Sequence, residues 1–218
     1  MNISQRLLLD WREKWLHNGH LIGRDFMYSP DGKFVHVLIP KNASGFVRGC
    51  FINAGWNESM ANNKHIYKEH AIIVYRDPFD RWFSGMAQYL YNLYGKQPKL
   101  LDDENLVKHL FAVPVVDDHT EKQIYYIQNI DLNNATFILL GKNINSTLAN
   151  WFSSNGYNGK IGENDRGHDS AEIPVKLSYK QRLHNLMKDD MLQTLFYKAY
   201  EDELNFYKYL QGNNLFYK

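Results

Sequence analysis

An apolar run from Phe34 to Ile39 stops at Pro40-Lys41-Asn42-Ala43-Ser44-Gly45 and continues at once into Phe46 to Phe51, where apolar residues recur at helical spacing. A strand that turns through small residues straight into a helix is a building unit of α/β folds, in which helices cover the faces of a sheet. The turn also has a chemical consequence. The N–H groups of the helix's first turn and the positive end of its dipole converge on one point, where an anion is stabilised. Lys41 adds a flexible point charge that can follow a phosphoryl or sulfuryl oxygen as charge builds on it. The same residues also fit an ordinary surface turn with a solvated lysine. This is not a Walker loop, because the glycines and the Lys-Ser/Thr pair of that motif are absent.

Ala71-Ile72-Ile73-Val74-Tyr75 is a continuous apolar run of the kind found in parallel strands covered on both faces, and Arg76 stands at its carboxyl end. Asp77 then reads as an N-cap, Pro78 as the first helical residue and Asp80 as a first-turn acid favoured by the dipole. The spacing predicts a helix to about Tyr94, closed by Gly95. Ser84 within it is a small residue that suits either packing or a ligand.

Taken in order, IPKNAS after one strand and VYRDPFDRWFS after another resemble the paired signatures of sulfotransferases that use phosphoadenosine phosphosulfate (PAPS), most of all the carbohydrate branch. The resemblance implies a P-loop-like, three-layer α/β fold with a central, mainly parallel sheet. It implies that Pro40 to Phe46 holds the 5′-phosphosulfate, with Lys41 at the sulfate and bridging oxygen. The amides of Asn42, Ala43, Ser44, Gly45 and Phe46 would hold the 5′-phosphate, and Arg76 with Ser84 would clamp the 3′-phosphate. The product would be adenosine 3′,5′-bisphosphate. Gly45 departs from the pattern, standing where the family commonly has threonine or serine, so one hydroxyl contact is missing. That bears on donor affinity more than on donor identity.

A weaker resemblance follows at Asp117-Asp118-His119-Thr120-Glu121-Lys122-Gln123, which is similar to the Asp-x-His-x-x-x-Gln segment of carbohydrate sulfotransferases and implies that His119 faces the acceptor. The residues alone equally allow Asp118 and Thr120 to cap a helix running through Gln128. A general base has to take the acceptor's proton, and the candidates are His119, His65 and Glu58, in that order. No metal is expected: Asp165, His168 and Asp169 are scattered loop residues with a single imidazole among them.

Around these motifs, Ser4 to His17 has the periodicity of a packing helix. Phe26-Met27-Tyr28, the turn Ser29-Pro30-Asp31-Gly32 and Lys33 to Ile39 predict a β-hairpin that feeds the loop. Asn53 to Glu69 is polar and is expected to be irregular. Asp103 to Ala112 predicts a helix, and Thr136 to Leu140 followed by Ile144 to Phe152 repeats the strand-then-helix pattern. Asn155 to Pro174 predicts a long loop, resembling by position the family's loop over the nucleotide. Leu177 to Leu210 is helical in period, with Leu183, Leu186, Met187, Met191, Leu195, Phe196, Tyr200, Leu204 and Tyr207 expected in the core.

A chain of 218 residues with 44% hydrophobic content fits one α/β domain spanning 1–218. Its formal charge of +1 gives no general attraction to nucleic acid or anionic lipid, so an anion site has to be local. The single cysteine, Cys50, fits a reducing compartment and a buried place on the helix after the loop. No segment has membrane-spanning length, and the expected setting is cytoplasmic, without membrane insertion. The sequence points to transfer of a sulfuryl group from PAPS to a hydroxyl acceptor such as a glycan. Two other readings stay open: a nucleotide-dependent phosphotransferase, and a non-enzymatic module whose aromatics stack on sugars. Acceptor identity and oligomeric state are not encoded in these motifs.

Overall fold

The computed structural model describes residues 25–60, 69–95, 102, 106, 119–127, 130–158 and 172–217. The expected helix at Ser4 to His17, the one at Asp103 to Ala112 except for Leu106, His65, Asp118, and most of the Asn155 to Pro174 loop lie outside the described residues. Those described fall into two compact units. One contains 25–60, 69–77, 123–127, 130–158 and 207–217, and the other contains 78–95, 102, 106, 119–122 and 172–206.

The first unit is built on a mixed five-stranded sheet in the order β3-β1-β2-β4-β5. Its strands are β1 (Asp25–Tyr28), β2 (Phe34–Val37), β3 (Asn57–Met60), β4 (His70–Tyr75) and β5 (Ala135–Leu139). The expected hairpin forms, with Phe26 opposite Val37 and Tyr28 opposite Val35. Its turn is closed by the Gly32 N–H on the Ser29 carbonyl at 3.0 Å, with Gly32 at φ 69, a conformation that favours glycine. Asp31 accepts from the Ser29 hydroxyl and pairs with Lys33, and these contacts hold its carboxyl well below the ordinary range.

β2 runs parallel to β4, and β4 parallel to β5. β1 is antiparallel to both its neighbours, so the sheet is mixed where the sequence led us to expect a mainly parallel one. The unexpected member is β3, within the stretch read as irregular. It is a polar strand, Asn57-Glu58-Ser59-Met60, that among the described residues pairs only with β1 and forms the edge of the sheet. An edge strand open to water on one side needs no apolar alternation, and polar side chains there discourage further pairing.

Helices α1 (Ser44–Asn53) and α4 (Ile144–Ser154) pack on one face of this sheet. Val47, Cys50 and Phe51 from α1 and Leu148, Trp151 and Phe152 from α4 meet Met27, Ile72, Val74 and Ile138. The alternation of Ile72 and Val74 along β4 follows from the two-residue period of a strand. Cys50 is buried as expected. His36 on β2 is buried too, its ring stacked on Phe51 at 4.2 Å and its Nδ1 donating to the Ile72 carbonyl at 2.8 Å. A short helix α3 (Gln123–Tyr126) also belongs to this unit.

The second unit is helical: α2 (Pro78–Tyr94), α5 (Glu172–Leu186), α6 (Asp190–Ala199) and α7 (Glu201–Gly212, through Phe206). Pro78 opens α2 and Gly95, at φ 59, follows its last residue, as the sequence predicted. Trp82, Phe83, Met86 and Leu90 of α2 share a core with Tyr179 and Leu183 of α5 and with Phe196 and Tyr200. Met191 and Leu195, expected in that core, are exposed at 60% and 39%. The helical phase is reset between Met187 and Asp190, where Asp189 caps α6 by accepting from Met191 and Leu192 N–H groups. A period carried across that break assigns the wrong face, and Leu192 is the residue that turns inward.

Among the described residues no helix is long and apolar enough to cross a membrane.

Candidate functional site

The stretch from Pro40 to Phe46 lies beyond the carboxyl end of β2 and leads directly into α1. Two of its residues are left-handed although neither is glycine: Lys41 at φ 65 and Ala43 at φ 54, ψ 35. Each such residue costs about 1–2 kcal/mol relative to the right-handed form, and no glycine is used to relieve it. Ala43 is the N-cap and has no side chain to offer α1. The first intrahelical bond runs from the Val47 N–H to the Ala43 carbonyl at 2.9 Å. Helix geometry therefore leaves the N–H groups of Ser44, Gly45 and Phe46 without intrahelical acceptors. A left-handed residue next to a right-handed one gathers successive N–H groups into a concave, anion-binding surface.

The strained turn is held by a buried network. Asn42, 2% exposed, donates through Nδ2 to the Val74 carbonyl at 2.8 Å and to Gln123 Oε1 at 2.7 Å. Gln123, fully buried, grips the backbone of Arg76 twice, with Oε1 accepting from its N–H and Nε2 donating to its carbonyl, both at 2.9 Å. Arg76 returns to the loop, its Nη1 donating to the Lys41 carbonyl at 2.6 Å. The two bonds to Arg76 fix which end of the Gln123 amide is oxygen, and this in turn fixes Asn42 with Nδ2 toward Gln123. Among the described residues the buried Asn42 Oδ1 has no hydrogen-bond partner.

A cavity of about 650 Å³ opens beside the loop. Leu38, Pro40, Ser44 and Gly45 line it from the loop side, with Arg48 of α1 and Glu58 and Ser59 of β3 completing the wall. Arg48 and Glu58 form an ion pair between helix and edge strand.

Lys41, Asn42, Ala43, Ser44, Gly45, Phe46 and Arg76 thus occur in one unit, around one strand-to-helix turn. Glu58 is in the cavity wall. Ser84 lies in the other unit, on α2, and His119 lies there in a turn just before Thr120. Close packing in α2 requires Gly85, where a Cβ would meet the His119 carbonyl oxygen at 2.1 Å. After His119, the Thr120 carbonyl accepts from the Tyr200 hydroxyl and the Glu121 carbonyl from Arg81 Nη1. Both carbonyls are engaged outside a helix. The expected helix through Gln128 is reduced to one turn that starts at Gln123. His70 bonds Asn134 Oδ1 and Thr136 Oγ1 through its two ring nitrogens and is a strap between β4 and the start of β5.

The residue that sequence reading passed over is Gln123. It closes the segment read for His119, and its polar side chain next to the apolar Ile124 and two tyrosines was the available signal. Among the described residues no group of three or more His, Cys, Asp or Glu is placed to hold a metal ion. No family model, curated protein or solved structure matches this chain.

Proposed function

We propose that the chain is a PAPS-dependent sulfotransferase with a P-loop-like fold, and that Pro40 to Phe46 is its 5′-phosphosulfate loop. The observation that carries this reading is the pair of left-handed, non-glycine residues Lys41 and Ala43, held in place by the buried Asn42–Gln123–Arg76 network. A stored strain of about 2–4 kcal/mol over three residues calls for a function, and converging amides at a helix N-terminus beside a lysine suit an oxyanion. The paired sequence signatures make that oxyanion a phosphosulfate.

In this reading the acceptor's hydroxyl oxygen bonds to sulfur as the bond from sulfur to the phosphate's bridging oxygen breaks, and the phosphate leaves with that electron pair. Lys41 neutralises the charge growing on the bridging oxygen, while the Ser44, Gly45 and Phe46 amides hold the phosphate. Arg76 fixes the Lys41 backbone through Nη1 and belongs with the nucleotide's 3′-phosphate. The acceptor's proton passes to a base, for which His119, His65 and Glu58 remain the candidates.

Lys41→Ala is the direct test with labelled PAPS. Losing one preorganised transition-state contact costs roughly 2.7–4 kcal/mol, so turnover should fall about 10²–10³-fold. Lys41 is in a surface loop, and the urea midpoint should change little. An unaltered rate constant in Lys41→Ala rejects the assignment.

A further inference from the structure

Arg76 joins the carboxyl ends of two neighbouring parallel strands, β2 and β4. Its backbone is fixed from behind, because Gln123 accepts from the Arg76 N–H and donates to the Arg76 carbonyl, both at 2.9 Å. Its side chain reaches across to the loop, where Nη1 donates to the Lys41 carbonyl at 2.6 Å. That carbonyl belongs to a left-handed residue, at φ 65. Returning Lys41 to the right-handed form rotates the carbonyl away, so the Arg76 bond and the strained loop stand or fall together. A guanidinium carries several N–H donors in one rigid plane, and a bond to a single carbonyl does not exhaust it.

We propose that Arg76 couples two anion subsites: an oxyanion on its guanidinium and an oxyanion on the Pro40 to Phe46 loop each strengthen the binding of the other, through the bond from Arg76 to Lys41. This rests on the phosphoadenosine reading, which gives the 3′-phosphate to Arg76 and the 5′-phosphate to the loop, and adds that the two ends are not independent. The physical route is short. A long side chain loses rotamer freedom when it is fixed, and an anion that has already ordered the guanidinium removes that cost from the bond to Lys41. The bond then holds Lys41 in the left-handed form that leads the chain through Ala43 into α1. A loop that spends more of its time in the binding-competent form binds its oxyanion more tightly in proportion. Linkage makes the effect reciprocal. Two like charges without such a connection bind independently or repel one another, so positive cooperativity between phosphates distinguishes this route from simple electrostatics. The consequence is discrimination. A nucleotide with a 5′-phosphate and no 3′-phosphate meets a loop that is only partly formed.

The test is an affinity cycle on the full chain with ligands that share one scaffold: adenosine, adenosine 3′-monophosphate, adenosine 5′-monophosphate and adenosine 3′,5′-bisphosphate. Calorimetry measures the tight ligands and ligand-observed NMR the weak ones. For independent phosphates, the gain in affinity of the bisphosphate over adenosine equals the product of the two single gains. Wild type should exceed that product by about tenfold, within the ordinary range of coupling between sites. Arg76→Lys keeps the positive charge but has no planar fork to serve a carbonyl and a phosphate together, and the excess should fall to within about twofold, the usual limit of additivity. Wild type obeying the product rule within about twofold overturns the proposal, whether or not the variant folds. So does a tenfold excess that persists in Arg76→Lys. Absence of any gain from either phosphate over adenosine is a different result, which removes the phosphoadenosine reading itself.

Discussion

Asn42→Asp is nearly isosteric and tests the network beneath the loop. The Nδ2 position faces the Val74 carbonyl at 2.8 Å and Gln123 Oε1 at 2.7 Å, both of them acceptors. A carboxylate there puts an oxygen against two oxygens in a site 2% exposed. Asn42→Ala leaves the Val74 carbonyl without this donor, at a cost of about 1–3 kcal/mol. Asn42→Asp adds an uncompensated buried charge, so its cost at neutral pH should reach about 3–5 kcal/mol. Burial and the two acceptors raise the folded-state pKa of the introduced carboxyl above its unfolded value near 3.9. The folded state then binds the proton more readily, so the deficit is fully present above the raised pKa and shrinks as pH falls toward the unfolded one. Protonation gives back one O–H donor. Urea unfolding of wild type, Asn42→Ala and Asn42→Asp at pH 5 and pH 8 separates these terms. The reasoning is refuted if Asn42→Asp lies within about 1 kcal/mol of wild type at pH 8, or if its deficit relative to Asn42→Ala does not shrink at pH 5.

Ala43→Gly should stabilise the chain by about 0.5–1 kcal/mol, because glycine relieves the φ of 54 and is also the better N-cap; a lower urea midpoint would contradict this. His36 is buried neutral, and desolvation, partly offset by its bond to the Ile72 carbonyl, lowers its pKa to about 4 from 6.5. Between those values the unfolded chain binds a proton that the folded one refuses, so stability is lost as pH falls, by roughly 3 kcal/mol in all. His36→Phe keeps the stacking on Phe51 and should flatten that part of the profile; an acid limb equally steep in the variant would place its origin elsewhere.

The elements that positioned the proposed site were readable wherever local chemistry and tertiary burial agreed. Ala71 to Tyr75 is buried on both faces and reads as a strand with no knowledge of its partners. Pro78 and Gly95 bracket α2 because an imino acid and a left-handed residue each fit only one end of a helix. β3 was missed because a strand that among the described residues pairs only with β1, at the sheet edge, carries no apolar signature. Met191 and Leu195 were misplaced because the cap at Asp189 rotates the helical phase. Gln123 was passed over for a third reason: its role is to satisfy Asn42 and Arg76, 81 and 47 residues away, and a buried amide is recognised only from its partners. The left-handed conformations of Lys41 and Ala43 were equally hidden, since neither residue type favours them.

The central claim, that the Pro40–Phe46 loop and Arg76 hold a phosphoadenosine nucleotide, is most directly tested by calorimetric titration of wild type with adenosine 3′,5′-bisphosphate, adenosine 5′-monophosphate and ATP. The bisphosphate should bind more tightly than the monophosphate by about 1.5–3 kcal/mol, the worth of hydrogen bonds to a charged group, and ATP should not displace it. Equal affinity for bisphosphate and monophosphate, or tighter binding of ATP, would contradict the account.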